Sequence, residues 1–171
     1  MMKIKCYNFK YDSDELRKWS EGDKELVPEE VLNWKGPGRQ NGYGYGEYWV
    51  ERYLKDKGYL VIAGEYNLST DNSKYKENNI IIEKTIGEER YRKLIKRFRE
   101  YEKEGKRIIE QPDIFAFKDD NYMFIEVKKD KDFLREPQKR FAKLVKEELD
   151  IDFIMFNLQV NIEEGIVCIE I

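Results

Sequence analysis

The sequence predicts an α/β (α+β) fold, in which a mixed β-sheet is flanked by helices within a single domain. The first observation is length, since 171 residues make about one domain and can bury a hydrophobic core. The second is periodicity, because segments of strand period are interspersed with segments of helical period. The third is a hairpin followed by a helix and two closing strands, Asp152 to Leu158 and Ile166 to Ile171, which favours a mixed sheet.

The N-terminal region is predicted to contain one strand and two short helices before a segment rich in glycine. The strand runs from Lys3 to Phe9, and the second helix begins at Pro28, because proline is favoured in a first helical turn. Five of the 11 glycines then fall between residues 36 and 46, a density that excludes a regular element. This segment is either a plain linker or a loop through which the backbone approaches a ligand closely.

The segment from Glu47 to Lys57 is predicted to be a helix that ends at Gly58. At about 100° per residue, its apolar residues fill one arc, and Glu47 lies at the border of that arc in the first turn. An acid in this position stabilises the helix dipole. The position also suits a ligand beside a buried site, and the sequence leaves both interpretations open.

Two strands separated by a polar tract are predicted next, followed by a long helix. The strands are Tyr59 to Glu65 and the isoleucine run Ile80 to Ile82, with the tract from Asn67 to Asn79 between them. The helix spans Gly87 to Glu104 and carries an apolar stripe, Tyr91, Leu94, Ile95, Phe98 and Tyr101. Between residues 84 and 107, ten basic and five acidic residues give a local charge of +5, although the whole chain carries −3. This basic surface is either a solvated helix face or a phosphate-binding face.

Two strands joined by a tight turn are predicted to place two carboxylates opposite each other. The strands are Ile108 to Phe117 and Tyr122 to Lys129, and residues 118–121 give a strong turn signal. If these four residues close the hairpin, paired residue numbers sum to 239, so Asp113 lies opposite Glu126. Like charges in direct cross-strand pairs destabilise a sheet, so a divalent cation between the carboxylates is predicted to offset their repulsion.

Two further polar residues are predicted to join this carboxylate pair. Lys128 shares the sheet face of Glu126, because side chains alternate with period two, and there it would act on a water or stabilise phosphoryl charge. Gln138 lies near the start of a helix from Pro137 to about Leu149 and points into its apolar face. A buried amide needs a hydrogen-bond partner, which is either nearby backbone or the site itself.

Composition excludes several classes of chemistry. The chain has no histidine, which excludes Ser-His-Asp and Cys-His nucleophiles and His-rich zinc hydrolases. Its two cysteines, Cys6 and Cys168, fit neither a disulfide framework nor a zinc site. Catalysis would therefore depend on carboxylates, lysines and tyrosines with a hard ion such as Mg²⁺ or Mn²⁺. Because there is neither a bilayer-length apolar run nor a signal peptide, we expect a soluble, cytoplasmic protein.

The residues around the hairpin resemble a known nuclease signature. Gln111-Pro112-Asp113 followed by Phe124-Ile125-Glu126-Val127-Lys128 resembles the motif of the PD-(D/E)xK nuclease superfamily. Asp132, Leu134 and Gln138 follow Lys128 at four, six and ten residues, which is similar to the VRR-NUC branch (virus-type replication-repair nucleases). Gly46-Glu47 is similar to the beginning of the leading helix of that fold, whose acid completes the metal site.

The resemblance implies a restriction-endonuclease-like αβββαβ core with a helical insertion. The core would span residues 46–158 with the insertion at about 67–107, after an extension over 1–45 and before a C-terminal strand within 159–171. It also implies a Mg²⁺- or Mn²⁺-dependent endonuclease that hydrolyses phosphodiester bonds in DNA, in repair, recombination or restriction. Cutting two strands suggests a homodimer.

The resemblance implies a role for each residue of the site. Asp113 and Glu126 would bind the metal ion, with the Val127 carbonyl as a further ligand. Glu47 would contribute a ligand or an outer contact, and Lys128 would activate water.

The remaining implied roles are positioning and DNA binding. Gln138 would orient the site. Basic residues of the glycine-rich segment, the long helix and the hairpin end are expected to contact phosphates: Lys35, Arg39, Arg92, Lys96, Arg99 and Lys129. Three alternatives stay open: a catalytically inactive nuclease-fold module that binds DNA, a structure-specific nuclease similar to Holliday-junction resolvases, and an interaction module whose charge pairs are purely structural.

Overall fold

The described part of the chain forms a six-stranded mixed β-sheet flanked by helices, which confirms the predicted fold class. The computed structural model describes residues 1–29, 44–103 and 108–171. The strands are β1 (Lys3–Lys10), β2 (Leu60–Ala63), β3 (Ile114–Lys118), β4 (Asn121–Lys129), β5 (Asp152–Gln159) and β6 (Gly165–Glu170). The helices are α1 (Ser13–Glu21), α2 (Tyr45–Asp56), α3 (Lys76–Ile86), α4 (Glu88–Lys103) and α5 (Glu136–Lys143). The helix predicted from Pro28 and the glycine-rich segment, with Lys35 and Arg39, fall largely or wholly outside the described residues.

The sheet combines an antiparallel meander with parallel strands. The strand order is β2-β3-β4-β5-β1-β6. Strands β2, β3 and β4 are antiparallel neighbours, β5 is parallel to both β4 and β1, and β6 returns antiparallel to β1. The helix before β2 and the helix between β4 and β5 complete the order α-β-β-β-α-β, which is the order that the resemblance implies.

Apolar side chains fill both faces of the sheet. One face, here the α5 face, packs against α3, α4 and α5, and on it the rings of Phe124 and Phe141 meet edge to face with centroids 5.1 Å apart. The other, here the α2 face, packs against α1 and α2 through buried residues such as Trp19 and Tyr45. The strands can therefore be apolar on both sides, and a polar side chain on either face is conspicuous.

The predicted hairpin register is confirmed. Phe117 pairs with Tyr122 and Ile114 with Ile125, so paired numbers sum to 239 along the whole ladder. The connection is shorter than the four turn residues suggest, because Lys118 and Asn121 still pair and leave a two-residue turn. Asp119 adopts a positive φ of 51° in that turn, a conformation that aspartate tolerates better than most residues.

The prediction of a strand at Ile80 to Ile82 is wrong, because this run lies in helix α3. In the helix, Ile82 and Ile86 are buried four residues apart, whereas Ile80 and Ile81 are 37% and 39% exposed. A run of three isoleucines is too short to distinguish a strand from a helix, and packing against the core overrides the β-propensity of the run. Asn79 also anchors the helix by bonding the backbone of Asn67 in both directions.

Two other elements differ from prediction at their ends. β3 begins at Ile114, not at Ile108, because Pro112 has no N–H to donate and its carbonyl accepts a hydrogen bond from the Tyr66 hydroxyl at 2.6 Å. Helix α5 ends at Lys143 and continues as a π-helical turn over Leu144–Glu148. The predicted apolar stripe of α4 is confirmed, since Leu94 and Phe98 are buried and Tyr91, Ile95 and Tyr101 pack against the same core.

Candidate active site

The candidate site lies where β3 begins, β4 ends and α5 starts. The hairpin register continues one step beyond the last paired residues and brings Asp113 opposite Glu126. Oδ2 of Asp113 accepts a 2.8 Å hydrogen bond from the N–H of Val127, and its carbonyl accepts one of 2.8 Å from Gly64. Asp113 is thus tied to β4 on one side and to the end of β2 on the other.

Glu126 is the most enclosed acid of the site, with 2% of its surface exposed. Its Oε1 accepts two donors, Nζ of Lys128 at 2.9 Å and Nε2 of Gln138 at 2.6 Å. Its Oε2 is buried and has no hydrogen-bond partner among the described residues. A buried carboxylate oxygen without a partner is costly, so this atom identifies a position where a cation or a donor is expected.

Both carboxyl groups have raised pKa values. Burial raises the pKa of Glu126 to about 8, the charge of Asp113 adds to the effect, and Lys128 opposes it. Burial likewise raises the pKa of Asp113 to about 7, with a further contribution from the charge of Glu47. The N–H of Val127 and the charge of Lys128 act in the opposite direction on Asp113. Two neighbouring acids that resist ionisation favour a positively charged ligand.

Gln138 has both of the hydrogen-bond partners that the sequence leaves open, nearby backbone and the site itself. Its Oε1 accepts the backbone N–H of Arg135 at 3.0 Å and caps the first turn of α5, while its Nε2 donates to Glu126. Because Oε1 is fixed by an N–H donor, the amide nitrogen has to face the carboxylate. The side chain is 3% exposed, so both hydrogen bonds are shielded from water.

Lys128 is held between two acids on the α5 face. It is 3% exposed, and besides Glu126 its Nζ contacts Oδ2 of Asp132 at 3.4 Å. Asp132 is 54% exposed, so the lysine connects the buried carboxylate to the surface. A buried ammonium group requires such pairing, and the arrangement keeps a positive charge beside the site.

Glu47 approaches the site from the α2 face. A Cβ atom at Gly46 would lie 3.1 Å from Cγ1 of Val127, so the glycine allows the first turn of α2 to pack tightly against β4. Glu47 is half-buried, and its charge raises the pKa of Asp113. Within residues 1–29, 44–103 and 108–171, however, no three His, Cys, Asp or Glu side chains are grouped closely enough to hold a metal ion.

The basic residues of α4 do not join the carboxylates. Arg97 binds Glu148, which lies ten residues beyond Gln138 in the π-helical turn that follows α5. Arg92 pairs with Glu88 at 2.6 Å and Arg99 with Asp71 at 2.7 Å, while Lys96 is exposed. Much of the charge of the described basic surface is therefore already paired with acids that lie outside the candidate site.

Lys129 lies next to the site on the opposite sheet face. Its Nζ binds Oδ2 of Asp130 at 2.7 Å and lies over the ring of Tyr11 at 5.7 Å from the centroid. The Tyr11 hydroxyl in turn donates to Asp130 at 2.7 Å. Of the four predicted phosphate-binding residues that the structure describes, Lys129 is the one at the end of β4.

Sequence reasoning missed an amide ladder on the α5 face. Asn157 is the pairing partner of Lys128 on β5, and Asn8 is the partner of Asn157 on β1. The two amides are joined by a 3.0 Å hydrogen bond, and Gln159 donates to Asn157 at 3.3 Å. Polar residues at the end of an apolar strand are a sequence signal, but their position beside Lys128 depends on parallel pairing that periodicity does not specify.

Tyr66 is a second missed residue. It is buried, its hydroxyl donates to the carbonyl of Pro112, and burial together with the charges of Asp113 and Glu126 raises its pKa well above the usual range. Tyr66 therefore supports the loop that carries Asp113. It lies in an irregular segment, where no periodic pattern distinguishes it from the other tyrosines.

Comparisons with models of protein families, with characterised proteins and with solved structures found no match for this chain. No helix of the described ranges is both long and apolar enough to cross a membrane. The most distinctive chemistry of the chain lies at Asp113, Glu126, Lys128 and Gln138.

Proposed function

We propose that the chain is a Mg²⁺- or Mn²⁺-dependent endodeoxyribonuclease that hydrolyses phosphodiester bonds. The observation that carries the proposal is Oε2 of Glu126, a buried carboxylate oxygen without a described partner, on a residue opposite Asp113. The raised pKa values of both acids support a cation at this position, because a divalent ion would offset their burial and repulsion. The resemblance of the motif to PD-(D/E)xK nucleases supports the reaction class.

The donor set suits Mg²⁺ better than a metal that requires a full cage of side chains. Mg²⁺ usually keeps several waters and is bound through one or two carboxylates, so the lack of a third close acid in the described residues does not argue against it. Asp113 and Glu126 would hold the ion. The carbonyl of Val127 is a further candidate ligand, because the N–H and C=O of one strand residue point to the same side and its N–H already points to Asp113. Glu47 would lie outside the set of direct ligands. When bound, the ion would stabilise negative charge on a phosphoryl group.

The side chains of the chain would supply orientation and a fixed positive charge. Gln138 holds Oε1 of Glu126, which leaves Oε2 as the oxygen available to a ligand. Lys128 carries its charge at the same carboxylate and would stabilise charge that develops on the phosphate oxygens in the transition state. Both are almost fully buried, so their geometry is set before a substrate binds.

The proposed substrate is DNA longer than a few nucleotides. Lys129 lies at the same end of β4 and would contact a phosphate near the site by exchanging its ion pair with Asp130. The basic residues of α4 that form ion pairs do so with acids other than Asp113 and Glu126, so we expect them to contact phosphates away from the scissile bond, on an extended duplex or branched DNA. Arg92, Lys96 and Arg99 would then strengthen binding without contacting the reacting group.

Plasmid nicking tests the proposal directly. We expect the wild-type chain to convert supercoiled plasmid to nicked or linear forms with Mg²⁺ or Mn²⁺ and to be inactive in EDTA. Glu126→Gln should abolish cutting, because it removes the charge and keeps the shape, whereas Glu136→Gln, at an exposed acid paired with Lys139, should not. Salt-sensitive DNA binding without cutting would favour the inactive binding module. No DNA binding at all would favour an interaction module.

A panel of substrates distinguishes the remaining alternatives. Linear duplex, flap and four-way junction DNAs of equal length would be compared at one Mg²⁺ concentration. Preferential cutting of the junction would favour a structure-specific nuclease similar to Holliday-junction resolvases. Equal cutting of all three forms would favour a nuclease that recognises the backbone alone.

A further inference from the structure

Strand β6 forms an edge of the sheet that is apolar and uncapped. It pairs with β1 on one side, and no strand within residues 1–29, 44–103 and 108–171 pairs with its other side. Ile166 is 61% exposed, Val167 is 44% exposed, and Cys168 is also exposed. An edge with these properties is a template for pairing with another strand.

The alternation of hydrogen-bonded pairs between β1 and β6 identifies which backbone groups of β6 point away from β1. Met2 and Ile171 exchange both hydrogen bonds, at 3.3 and 2.9 Å. Hydrogen-bonded pairs alternate along an antiparallel ladder, so every second residue from Ile171 backwards faces β1. The N–H and C=O groups of the intervening residues, Ile166, Cys168 and Glu170, therefore point to the open edge.

The two edges of the sheet differ in their protection. Natural edges are commonly kept short or carry Lys, Pro or a bulge. β2, at the other edge, has four residues, whereas β6 has six and contains no Lys, Arg or Pro between residues 165 and 170. Apart from Glu170 at its end, the edge of β6 thus lacks the usual features that prevent pairing.

We propose that β6 pairs antiparallel with β6 of a second copy of this chain, with Cys168 opposite the partner's Cys168. Cys168 is the middle one of the three outward-facing residues, so a two-fold axis at this residue satisfies all their backbone groups at once. Ile166 then lies opposite Glu170 of the partner subunit. Such an interface is isologous, the commonest type in homodimers, and joins the two sheets into one.

The charges along the β6–β6 seam, formed by residues 166–170 of both copies, are compatible with pairing between two copies of the chain. The two Glu170 side chains lie at opposite ends of the seam, four residues or about 14 Å apart at 3.4 Å per residue. Each keeps its own counter-ion, because Nζ of Lys3 lies 3.7 Å from the carboxylate. No like charges face each other directly, which an arbitrary partner strand would not guarantee.

The inference does not depend on the proposed nuclease activity. In the continuous sheet, the two copies of β4 are separated by seven strand spacings, about 34 Å at 4.8 Å each. The two candidate sites would therefore act separately, and loss of one activity would leave the dimer unaffected. The seam is short, so we expect a reversible equilibrium between monomer and dimer.

Disulfide trapping of the full chain tests the register. Paired residues in a hydrogen-bonded position have Cα atoms about 5.5 Å apart, within the range that a disulfide can bridge. Mild oxidation should therefore give a covalent dimer of the wild-type chain and of Cys6→Ser, since Cys6 is buried. Cys168→Ser should give none. The Ile166→Cys/Cys168→Ser variant should also give none, because position 166 of one copy lies about 14 Å from position 166 of the other.

A second pair of variants keeps the test decisive. Ile166→Cys/Cys168→Ser/Glu170→Cys should restore the covalent dimer, because residues 166 and 170 face each other across the seam. Ile166→Lys should shift the equilibrium to monomer in sedimentation analysis without lowering the melting temperature, since Ile166 is exposed. A monomer at every concentration would overturn the proposal, and so would equal cross-linking at positions 166 and 168, which would indicate random collision.

Discussion

The side-chain amide of Gln138 donates a 2.6 Å hydrogen bond to Oε1 of Glu126, joining the first turn of α5 to the end of β4. The amide oxygen is fixed by the N–H of Arg135, so the amide nitrogen can face only the carboxylate. Nζ of Lys128 contacts the same carboxylate oxygen, Oε1 of Glu126, at 2.9 Å. The second oxygen of Glu126 is buried and has no hydrogen-bond partner in the described part of the chain, so it is the oxygen that a cation would bind.

Removing this amide should destabilise the chain measurably. Gln138→Ala loses a buried hydrogen bond and the cap of α5, so we expect its free energy of unfolding to fall by about 1–3 kcal/mol. Urea denaturation measures the change. Lys139→Ala, the adjacent residue with a surface ion pair, is the control and should change stability by less than about 0.5 kcal/mol. Equal effects of the two substitutions would argue against a special role of Gln138.

Lys128→Ala should abolish cleavage and leave DNA binding close to normal. The lysine is buried beside Glu126 and contributes charge at the site, whereas most phosphate contacts are expected elsewhere. Nicking assays and gel shifts on the same preparation measure both properties. Lys131→Ala, an exposed lysine three residues along the chain, is the control. Full cleavage by Lys128→Ala would remove this residue from the proposed mechanism.

Charge reversal on α4 tests its contribution to DNA binding. Replacing Arg92, Lys96 and Arg99 by Glu should weaken binding and flatten the dependence of log K on log salt by up to a few units, at about 0.9 per lost duplex phosphate contact. Lys96→Glu alone should account for a large share, because Arg92 and Arg99 are already paired with acids. An unchanged slope would show that α4 presents only a solvated surface.

The stability of the metal-free chain should fall as the pH rises. Unfolded carboxyl groups titrate near pH 4, whereas the folded pKa values of Asp113 and Glu126 are about 7 and about 8. Between these limits the folded state binds more protons than the unfolded state, so the free energy of unfolding decreases with pH. The slope is at most about 1.4 kcal/mol per pH unit for each group.

Melting curves in EDTA from pH 5 to pH 9 would measure this effect. Asp113→Asn/Glu126→Gln removes both groups and should flatten the profile over that range. A double variant at two exposed acids, Glu136→Gln and Glu147→Gln, provides a comparison of equal charge. If the wild-type profile were as flat as that of the site variant, the two acids would not be strained by burial.

The parts of the site that the sequence predicts are those set by local periodicity. A two-residue alternation and a short turn suffice to bring Asp113 opposite Glu126, and helical phase suffices to bury Gln138. The position of Asn157 beside Lys128 depends on a parallel pairing between distant segments, which alternation does not specify. The strand predicted for the isoleucine run of α3 is wrong because three residues carry too little periodic information and the core decides which of them is buried.

Thermal melting with and without Mg²⁺ tests the metal site in the absence of substrate. In EDTA above pH 8, where both acids are ionised, Asp113→Asn should melt at or above the wild-type temperature, because it relieves a like-charge contact worth up to about 1 kcal/mol. Mg²⁺ should reverse the order: at tenfold over its dissociation constant, an ion that binds only the folded state adds about 1.4 kcal/mol, a shift of a few degrees for a chain of this size. The wild-type chain should show this shift and Asp113→Asn should show little. Asp119→Asn, in the hairpin turn, removes the same charge outside the site and should respond to Mg²⁺ as the wild type does. If Asp113→Asn responds equally, the ion binds elsewhere and Asp113 and Glu126 are not its ligands.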